Sequence, residues 1–265
     1  MRIGLLDSGV GLLAAAAAVR DMRPDADLVL TTDPDGMPWG PRTPEGVAER
    51  ALGCARAAEA YRLDVLIVAC NTASVHALEQ LRAELEPGVP VVGTVPAIKP
   101  AAACGGPVAI WATPATTASA YQRDLIARFA DGVPVAEVAC PGLADAVDTG
   151  DLAGIEAAVA DAARRTPSDV RGLVLGCTHY ELVADAIRAA VPVALFGSAT
   201  AVAAQALRRI GAAPAPDAPA TGTVTVLRTG RLEPLPETAK TYPQGRALAA
   251  AQPHPNPTNT PAGHP

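Results

Sequence analysis

The chain has 265 residues, a formal net charge of −6 and a sequence in which 18% of residues are charged. This length is enough to bury a sizeable core, either as one large domain or as two lobes. The longest basic runs are the pairs Arg164-Arg165 and Arg208-Arg209, which argues against nucleic acid or an anionic membrane as the main partner.

The first twenty residues, MRIGLLDSGVGLLAAAAAVR, superficially resemble a secretory leader. Asp7, Ser8 and two glycines interrupt the apolar run, so a strand, a turn and a helix are the favoured interpretation. No segment has the length and apolarity of a membrane-spanning helix. Five cysteines without the spacing of a disulfide framework predict reduced thiols and a cytoplasmic protein.

Short apolar runs alternate with helical patterns along the whole chain. The predicted strands are 3–6, 27–32, 65–69, 89–95, 108–112, 133–139, 172–176 and 191–196, with a further strand or hairpin at 223–230. The predicted helices are 12–20, 44–62, 74–85, 117–130, 151–164, 181–190 and 198–210. Fully apolar strands that alternate with helices indicate an α/β fold with parallel sheets buried on both faces.

The order of elements restarts near residue 108, and three features recur at a nearly constant offset. The matched pairs are Asp7 and Thr113 (106 residues apart), Cys70 and Cys177 (107), and Pro90 and Pro192 (102). Three matches in the same order predict two similarly wound halves related by pseudo-symmetry. Ligands of open α/β sheets bind beyond the carboxyl ends of strands, so the active site is expected in the cleft between the halves.

Cys70 in VACNT and Cys177 in LGCTH each follow the third strand of their half and precede a helix. Two thiols that meet across one cleft suit the removal of a proton from one face of a stereocentre and its return to the other. The positive end of a helix would favour the reactive thiolate. Two buried cysteines at strand ends, with no catalytic role, are the structural alternative.

Other chemistries of this pair explain less. Metal binding would need ligand spacings that the chain lacks, and His179 is the one histidine close to either thiol in the sequence. A redox disulfide would be expected to have the close cysteine partner of a redox motif. A single nucleophile formed by Cys177 and His179 would leave Cys70 unexplained.

Several segments together resemble the signature segments of glutamate racemases, in the aspartate/glutamate racemase superfamily. The segments are LLDSGVGLL, VACNTASV, GTVPAIKPA and LGCTHYEL, with ATPATTASAY and ACPGLADAVDTG less closely matched. The resemblance runs in order from about residue 3 to residue 210 and fades through 222–242. It implies two α/β domains, an active site between them, and an amino-acid racemase that uses no cofactor and no metal.

The resemblance also implies the roles of particular residues. The implied catalytic residues are Cys70, Cys177, Asp7 and His179, and the implied substrate-binding residues are Ser8, Pro38, Trp39, Gly40, Asn71, Thr72, Thr116 and Thr178. Hydroxyls and amides at helix starts suit the binding of carboxylates. Helix capping is the structural alternative for Ser8, Thr72 and Thr178, and packing is the alternative for His179. Cys54, Cys104 and Cys140 match no catalytic position.

Four positions depart from the pattern of this family. Leu12 stands where a glycine is usual, and Trp39 replaces a tyrosine whose hydroxyl lies near the substrate side-chain carboxylate. Asp148 is one methylene shorter than the usual glutamate, and Gly197 replaces an aspartate. The thiol pair is retained, so racemisation is still expected, whereas substrate preference is open to change.

The predicted function is therefore interconversion of L-glutamate and D-glutamate, supplying D-glutamate for peptidoglycan in a bacterium. An aspartate racemase is the alternative among enzymes, and a non-catalytic amino-acid-binding paralogue is the alternative from another class. The small-molecule substrate is the one partner expected, and the oligomeric state, a homodimer included, is left open.

The expected domains are residues 1–98 with about 207–242, and residues 99–206. The end of the chain, 243–265, is rich in proline, alanine and polar residues and is expected to be a disordered tail.

Overall fold

A computed structural model describes residues 1–250 of the chain. The strands are β1 (Arg2–Leu6), β2 (Asp27–Thr32), β3 (Val65–Val68), β4 (Val91–Gly93), β5 (Val108–Ala112), β6 (Val135–Ala139), β7 (Gly172–Leu175), β8 (Ala194–Phe196), β9 (Val224–Arg228) and β10 (Arg231–Leu232). The helices are α1 (Leu12–Met22), α2 (Pro44–Glu59), α3 (Asn71–His76), α4 (Leu78–Leu85), α5 (Ile98–Ala102), α6 (Pro114–Thr117), α7 (Ala120–Phe129), α8 (Leu143–Thr149), α9 (Leu152–Arg165), α10 (Ala184–Ala190), α11 (Ala199–Arg209) and α12 (Pro243–Ala250). Thr178–Val183 and Glu237–Thr241 form 3-10 helices.

The strands form two sheets with the same winding. The first sheet has the order β10-β9-β2-β1-β3-β4, and the second has the order β6-β5-β7-β8. All neighbouring strands are parallel except the β9–β10 hairpin. The order 2-1-3-4 of the first half is repeated as 6-5-7-8 in the second, which confirms the predicted α/β fold of two similarly wound halves.

This winding explains where a site can form. From β1 the chain passes through α1 to β2, which lies on one side of β1 in the sheet. The next strand, β3, lies on the other side of β1. The carboxyl ends of β1 and β3 therefore flank a point where the strand order reverses, and such points bind ligands in open α/β sheets. The carboxyl ends of β5 and β7 flank the corresponding point in the second sheet.

The last helix of each half packs on the sheet of the other half. Helix α5 follows β4 but contacts β5, β7 and β8, and α11 follows β8 but contacts α1, β3 and β4. The boundary expected between residues 206 and 207 would cut through α11. The whole of this helix contacts elements of the first sheet. We therefore propose that the first domain comprises 1–97 and 199–250, and the second comprises 98–198.

One hydrophobic cluster runs through both domains. It contains Leu5 and Ile67 of the first sheet, Trp111 and Leu175 of the second, and Tyr180 between them, all with side chains at most 3% exposed. Two smaller clusters cover the outer faces of the sheets. The continuous core holds the facing strand ends in a defined relation. Within residues 1–250, no helix is long and apolar enough to cross a membrane.

The expected disordered tail does not begin at residue 243, because α12 occupies Pro243–Ala250. Its alanines favour helix, Gly245 and Leu248 are buried, and the helix packs on α1. Arg246 Nη1 also donates to the carbonyls of Lys240 and Thr241, at 2.9 Å each. The low density of apolar residues in this segment favoured disorder, whereas the helix is docked by two buried positions, Gly245 and Leu248. The rest of the predicted tail, 251–265, lies outside the described residues.

Replacing Leu248 by alanine tests the docking of α12. Its side chain is 0% exposed, so Leu248→Ala should lower the free energy of unfolding by about 2–5 kcal/mol through lost burial and a cavity. Leu152→Ala is the matched control, because Leu152 is 66% exposed and its loss should change stability by no more than about 0.5 kcal/mol. Urea unfolding of both variants measures the difference, and equal midpoints would show that α12 does not contribute to the core.

Candidate active site

A cavity of about 400 Å³ lies between the carboxyl ends of the two sheets. It brings together all the residues predicted for the site: Asp7, Ser8, Pro38, Trp39, Gly40, Cys70, Asn71, Thr72, Thr116, Cys177, Thr178 and His179. Their side chains come from both domains, and the cavity is large enough for a small amino acid. The roles given to them from the resemblance remain predictions.

Cys70 and Asp7 form one side of the site. They follow β3 and β1, which are neighbours in the first sheet, and Asp7 lies close enough to Cys70 for its charge to act on the thiol. Burial, followed by the negative charge of Asp7, raises the pKa of the Cys70 thiol well above its usual value. Burial also raises the pKa of Asp7 to about 6, against the opposing effect of His179. Near neutral pH the proton of the pair therefore lies on the Cys70 thiol, beside the ionised Asp7 carboxylate.

Hydrogen bonds from Ser8 and Thr178 orient the Asp7 carboxylate, including a weak one from the Ser8 hydroxyl to Oδ1 at 3.4 Å. The backbone amide of Ser8 donates to Oδ1 at 2.7 Å, and the Thr178 hydroxyl donates to Oδ2 at 3.1 Å. Thr178 belongs to the second domain, so this hydrogen bond crosses the cleft. The helix-capping alternative does not apply to Ser8, Thr72 or Thr178, because the residues at the N-cap positions of the adjacent helices are Gly11, Cys70 and Cys177.

Cys177, His179 and Asp148 form the other side. Cys177 Sγ lies 3.7 Å from His179 Nδ1, and His179 Nε2 lies 3.0 Å from Asp148 Oδ2. The second contact is an ion pair whose N–H does not point straight at the oxygen. Burial alone would lower the pKa of His179, but Asp148 and Cys177 outweigh it and raise that pKa well above its usual value. The imidazole is therefore protonated at neutral pH and faces Cys177.

Asp148 is held in place from the first domain. The amide of Val10 donates to Asp148 Oδ1 at 2.8 Å, while Oδ2 faces His179. Burial opposes ionisation of Asp148, but the charge of His179 and the hydrogen bond from Val10 lower its pKa below the usual value. Although it is shorter than the glutamate usual in related sequences, Asp148 reaches the imidazole directly. The sequence marked this position as a departure and did not indicate its contact with His179.

Asn71 links the two thiol-bearing strand ends. It follows Cys70, and its Nδ2 donates at 2.8 Å to the carbonyl of Gly176, which precedes Cys177. The Asn71 side chain is buried, and its Oδ1 has no hydrogen-bond partner in the part of the chain that the structure describes. A buried amide oxygen without a donor is costly, so Asn71 is held in this place at the expense of one unpaired acceptor.

The glycines between β1 and α1 permit a close approach of the two domains. A Cβ on Gly11 would lie 2.4 Å from Asp7 Oδ2 and 2.5 Å from both His179 Nδ1 and Thr178 Oγ1. A Cβ on Gly9 would lie 2.1 Å from Asp148 Oδ1. Both positions have to lack a side chain for the acid–base groups to meet. The next residue, Leu12, points into the core at 1% exposure, so the missing third glycine does not obstruct the site.

Trp39 forms an apolar wall of the cavity. Its Nε1–H donates to Asp33 Oδ2 at 2.9 Å, and the Asp33 carboxylate also pairs with Arg50 Nη1 at 3.0 Å. Because the indole N–H is engaged by Asp33, Trp39 does not present that donor to a ligand. The wall that Trp39 forms is therefore apolar.

Gly197 also has a structural explanation. The Glu181 carboxylate occupies the adjacent space, and a Cβ on Gly197 would lie 2.4 Å from its Oε2. Glu181 Oε1 accepts from the backbone amide and the hydroxyl of Ser198, each at 2.8 Å, at the start of α11. The carboxylate of Glu181 thus supports this helix end where Gly197 has no side chain to do so.

Some of the residues that line the cavity were not predicted. Thr113 accepts from the Thr116 amide at 3.3 Å and lies 106 residues after Asp7, so the internal repeat could have identified it. Cys140 also lines the cavity, but burial raises its pKa to about 12, which fits a packing role. Within residues 1–250, no lysine or arginine lines the cavity, so carboxylates would be bound there by hydroxyls and amides.

Comparisons with known proteins identify the family of this chain. Residues 11–206 match the Asp/Glu/Hydantoin racemase family. Glutamate racemase of Roseiflexus sp. is 41% identical over 192 residues, which cover 71% of this chain and 70% of that protein. Glutamate racemase of Pseudomonas putida strain W619 is 36% identical over 217 residues, with coverage of 79% and 82%.

Solved structures show the same fold. The structure of Escherichia coli glutamate racemase in complex with L-glutamate and the activator UDP-MurNAc-Ala superposes with a TM-score of 0.77 at 27% identity, covering 91% of both chains. That of Thermus thermophilus glutamate racemase in complex with beta-chloro-D-alanine gives a TM-score of 0.67 at 31% identity, covering 94% of this chain and 92% of the other.

The fold and the family match define an amino-acid racemase, which is an isomerase. The chain belongs to the Asp/Glu/Hydantoin racemase family.

The close approach at Gly11 predicts that even one methyl group there impairs the site. Gly11→Ala should lower kcat/KM by about 100-fold, because the acid–base groups would have to move by a good part of an ångström. Gly53→Ala is the control: Gly53 lies in α2, where an added methyl group would have nothing within 4 Å, so this change should keep activity and stabilise the helix by about 1 kcal/mol. Equal kcat/KM for the two variants would contradict the close packing at Gly11.

Proposed function

We propose that this protein racemises glutamate by transferring protons through Cys70 and Cys177, without a cofactor. The observation that carries the proposal is the position of the two thiols. They follow equivalent strands of two similarly wound sheets and line one cavity, and each has its own acid–base partner.

The proposed mechanism places the substrate α-carbon between the thiols. One thiolate removes the α-proton from one face, and the other thiol delivers a proton to the opposite face. Asp7 can take the proton of Cys70, and protonated His179 can stabilise negative charge on Cys177. In the reverse direction the two cysteines exchange the roles of base and acid.

Substrate binding follows from the polar groups that line the cavity. Asp7 lies beside Cys70, and its ionised carboxylate can pair with the substrate ammonium. The hydroxyls of Thr72, Thr116 and Thr178 can donate to the substrate carboxylates. Glutamate is proposed as the substrate because the relatives of 35–41% identity carry that name and the Escherichia coli structure is described with L-glutamate.

Two features support chemistry without pyridoxal phosphate or a metal. Lys99 and Lys240 are the only lysines of the chain, and neither lines the cavity. Among the side chains described by the structure, no group of three or more His, Cys, Asp or Glu is arranged to hold a metal ion. Purified protein should therefore keep its activity in chelator and show no absorbance of a bound aldimine.

The proposed biological role is the supply of D-glutamate for peptidoglycan, in the cytoplasm of a bacterium. Five free cysteines are consistent with a reducing compartment. Aspartate is the competing substrate. The Trp39 N–H is bonded to Asp33 and cannot bind a substrate side-chain carboxylate, so the preference between glutamate and aspartate has to be measured directly.

Incubation with each enantiomer of glutamate and of aspartate, followed by chiral chromatography, tests the proposed substrate. Both enantiomers of glutamate should be racemised, with a higher kcat/KM than the enantiomers of aspartate. Faster turnover of aspartate would replace the proposed substrate and leave the two-thiol mechanism in place. No turnover of either amino acid would overturn both.

Serine replacements test the proposed role of the thiols. Cys70→Ser and Cys177→Ser should each lower racemase activity by about 10²–10⁴-fold, because a hydroxyl is a far poorer base than a thiolate. Cys104→Ser is the control, since Cys104 is half-buried and does not line the cavity. Near-normal turnover by either of the first two variants, with the control active, would refute the assignment of that cysteine.

A further inference from the structure

The segment that follows β10 lies behind the catalytic groups, although the family match ends at residue 206. Within it, the hydroxyl of Tyr242 donates at 2.5 Å to the carbonyl of Val147, which is the residue before Asp148. Tyr242 is 3% exposed and Val147 is fully buried, so this hydrogen bond is shielded from water. A residue outside the matched region is thus bonded to the backbone that carries Asp148.

A second contact joins this segment to the end of α8. The 3-10 helix Glu237–Thr241 packs on α8, and a Cβ on Gly150 would lie 3.3 Å from Thr241 Oγ1. Gly150 ends α8 in the left-handed conformation, at a φ of 71°. The segment therefore packs against the end of α8, the helix that contains Asp148.

The same segment also holds α1. Helix α12 follows Tyr242 directly and packs on α1, which begins just after Gly11 and Val10. Val10 is the residue whose amide donates to Asp148 Oδ1. The segment thus contacts both elements that must stay together for Asp148 to face His179.

We infer that Tyr242 is a positioning residue for the Asp148–His179 pair. Its hydrogen bond fixes the backbone of α8 at Val147, so that the Asp148 carboxylate stays 3.0 Å from His179 Nε2. Without this bond the last turn of α8 gains freedom, the ion pair is populated for less of the time, and His179 loses the charge that keeps it protonated. The catalytic consequence of this inference rests on the proposed role of His179 beside Cys177.

Tyr242→Phe removes the hydroxyl and keeps the buried ring. The pKa of His179 should fall, because the stabilising carboxylate is held less firmly. NMR titration of the imidazole measures this shift, with the His179 resonance assigned from a His179→Gln variant. Asp148→Asn should shift the same pKa downward by more than Tyr242→Phe does, since it removes the charge itself.

Kinetics give the second readout. The alkaline limb of the pH profile of kcat/KM should move to lower pH in Tyr242→Phe, and kcat/KM at neutral pH should fall by about tenfold, as expected for one buried hydrogen bond. Tyr61→Phe is the matched control, because Tyr61 is a partly buried tyrosine of the first domain that does not line the cavity. It should leave both the limb and the imidazole titration unchanged.

An unchanged His179 titration in Tyr242→Phe would overturn the inference, whatever the effect on melting temperature. A lower melting temperature with the limb in its original place would likewise show a structural role alone. The titration is measured on the protein without substrate, so its result does not depend on whether glutamate is racemised. Failure of the proposed function and failure of this inference are therefore separate results.

Discussion

The hydrogen bond from the Asn71 amide to the Gly176 carbonyl connects the two halves of the molecule at the point where the chemistry is proposed. It joins the residue after one thiol to the residue before the other, across two sheets that share no strand. The duplicated winding places equivalent strand ends opposite each other, but it does not set the distance between them. This buried contact, together with the continuous core, holds Cys70 and Cys177 on one cavity.

The scaffold is nearly symmetric, whereas the acid–base partners are not. Cys70 is paired with Asp7, a carboxyl whose pKa is raised to about 6, and Cys177 is paired with a protonated His179 supported by Asp148. A reaction that runs in both directions needs a proton donor and an acceptor on each face, and the two sides meet this need with different groups. The glycines before α1 permit this, because side chains there would overlap the partners of both thiols.

Periodicity and the internal repeat predicted the sheets, their winding and the position of both thiols, because these features depend on local pattern and on order along the chain. The contacts between distant elements were not predictable in this way. The pairing of Asp148 with His179 depends on how α8 lies against the first domain, and a residue's partners across a cleft leave no periodic signal. The docking of α12 through Leu248 was missed because the composition of the segment suggested no core.

Transfer of solvent deuterium most directly tests the central claim that two different thiols act on opposite faces of the substrate. In deuterated water both thiols exchange before the substrate binds, so the group that supplies the new proton carries deuterium. Mass spectrometry of the separated enantiomers at low conversion should find deuterium at the α-carbon of the product and the original hydrogen in the remaining substrate, starting from either enantiomer. Product that retains the original hydrogen would show that one base serves both faces, and it would contradict the account.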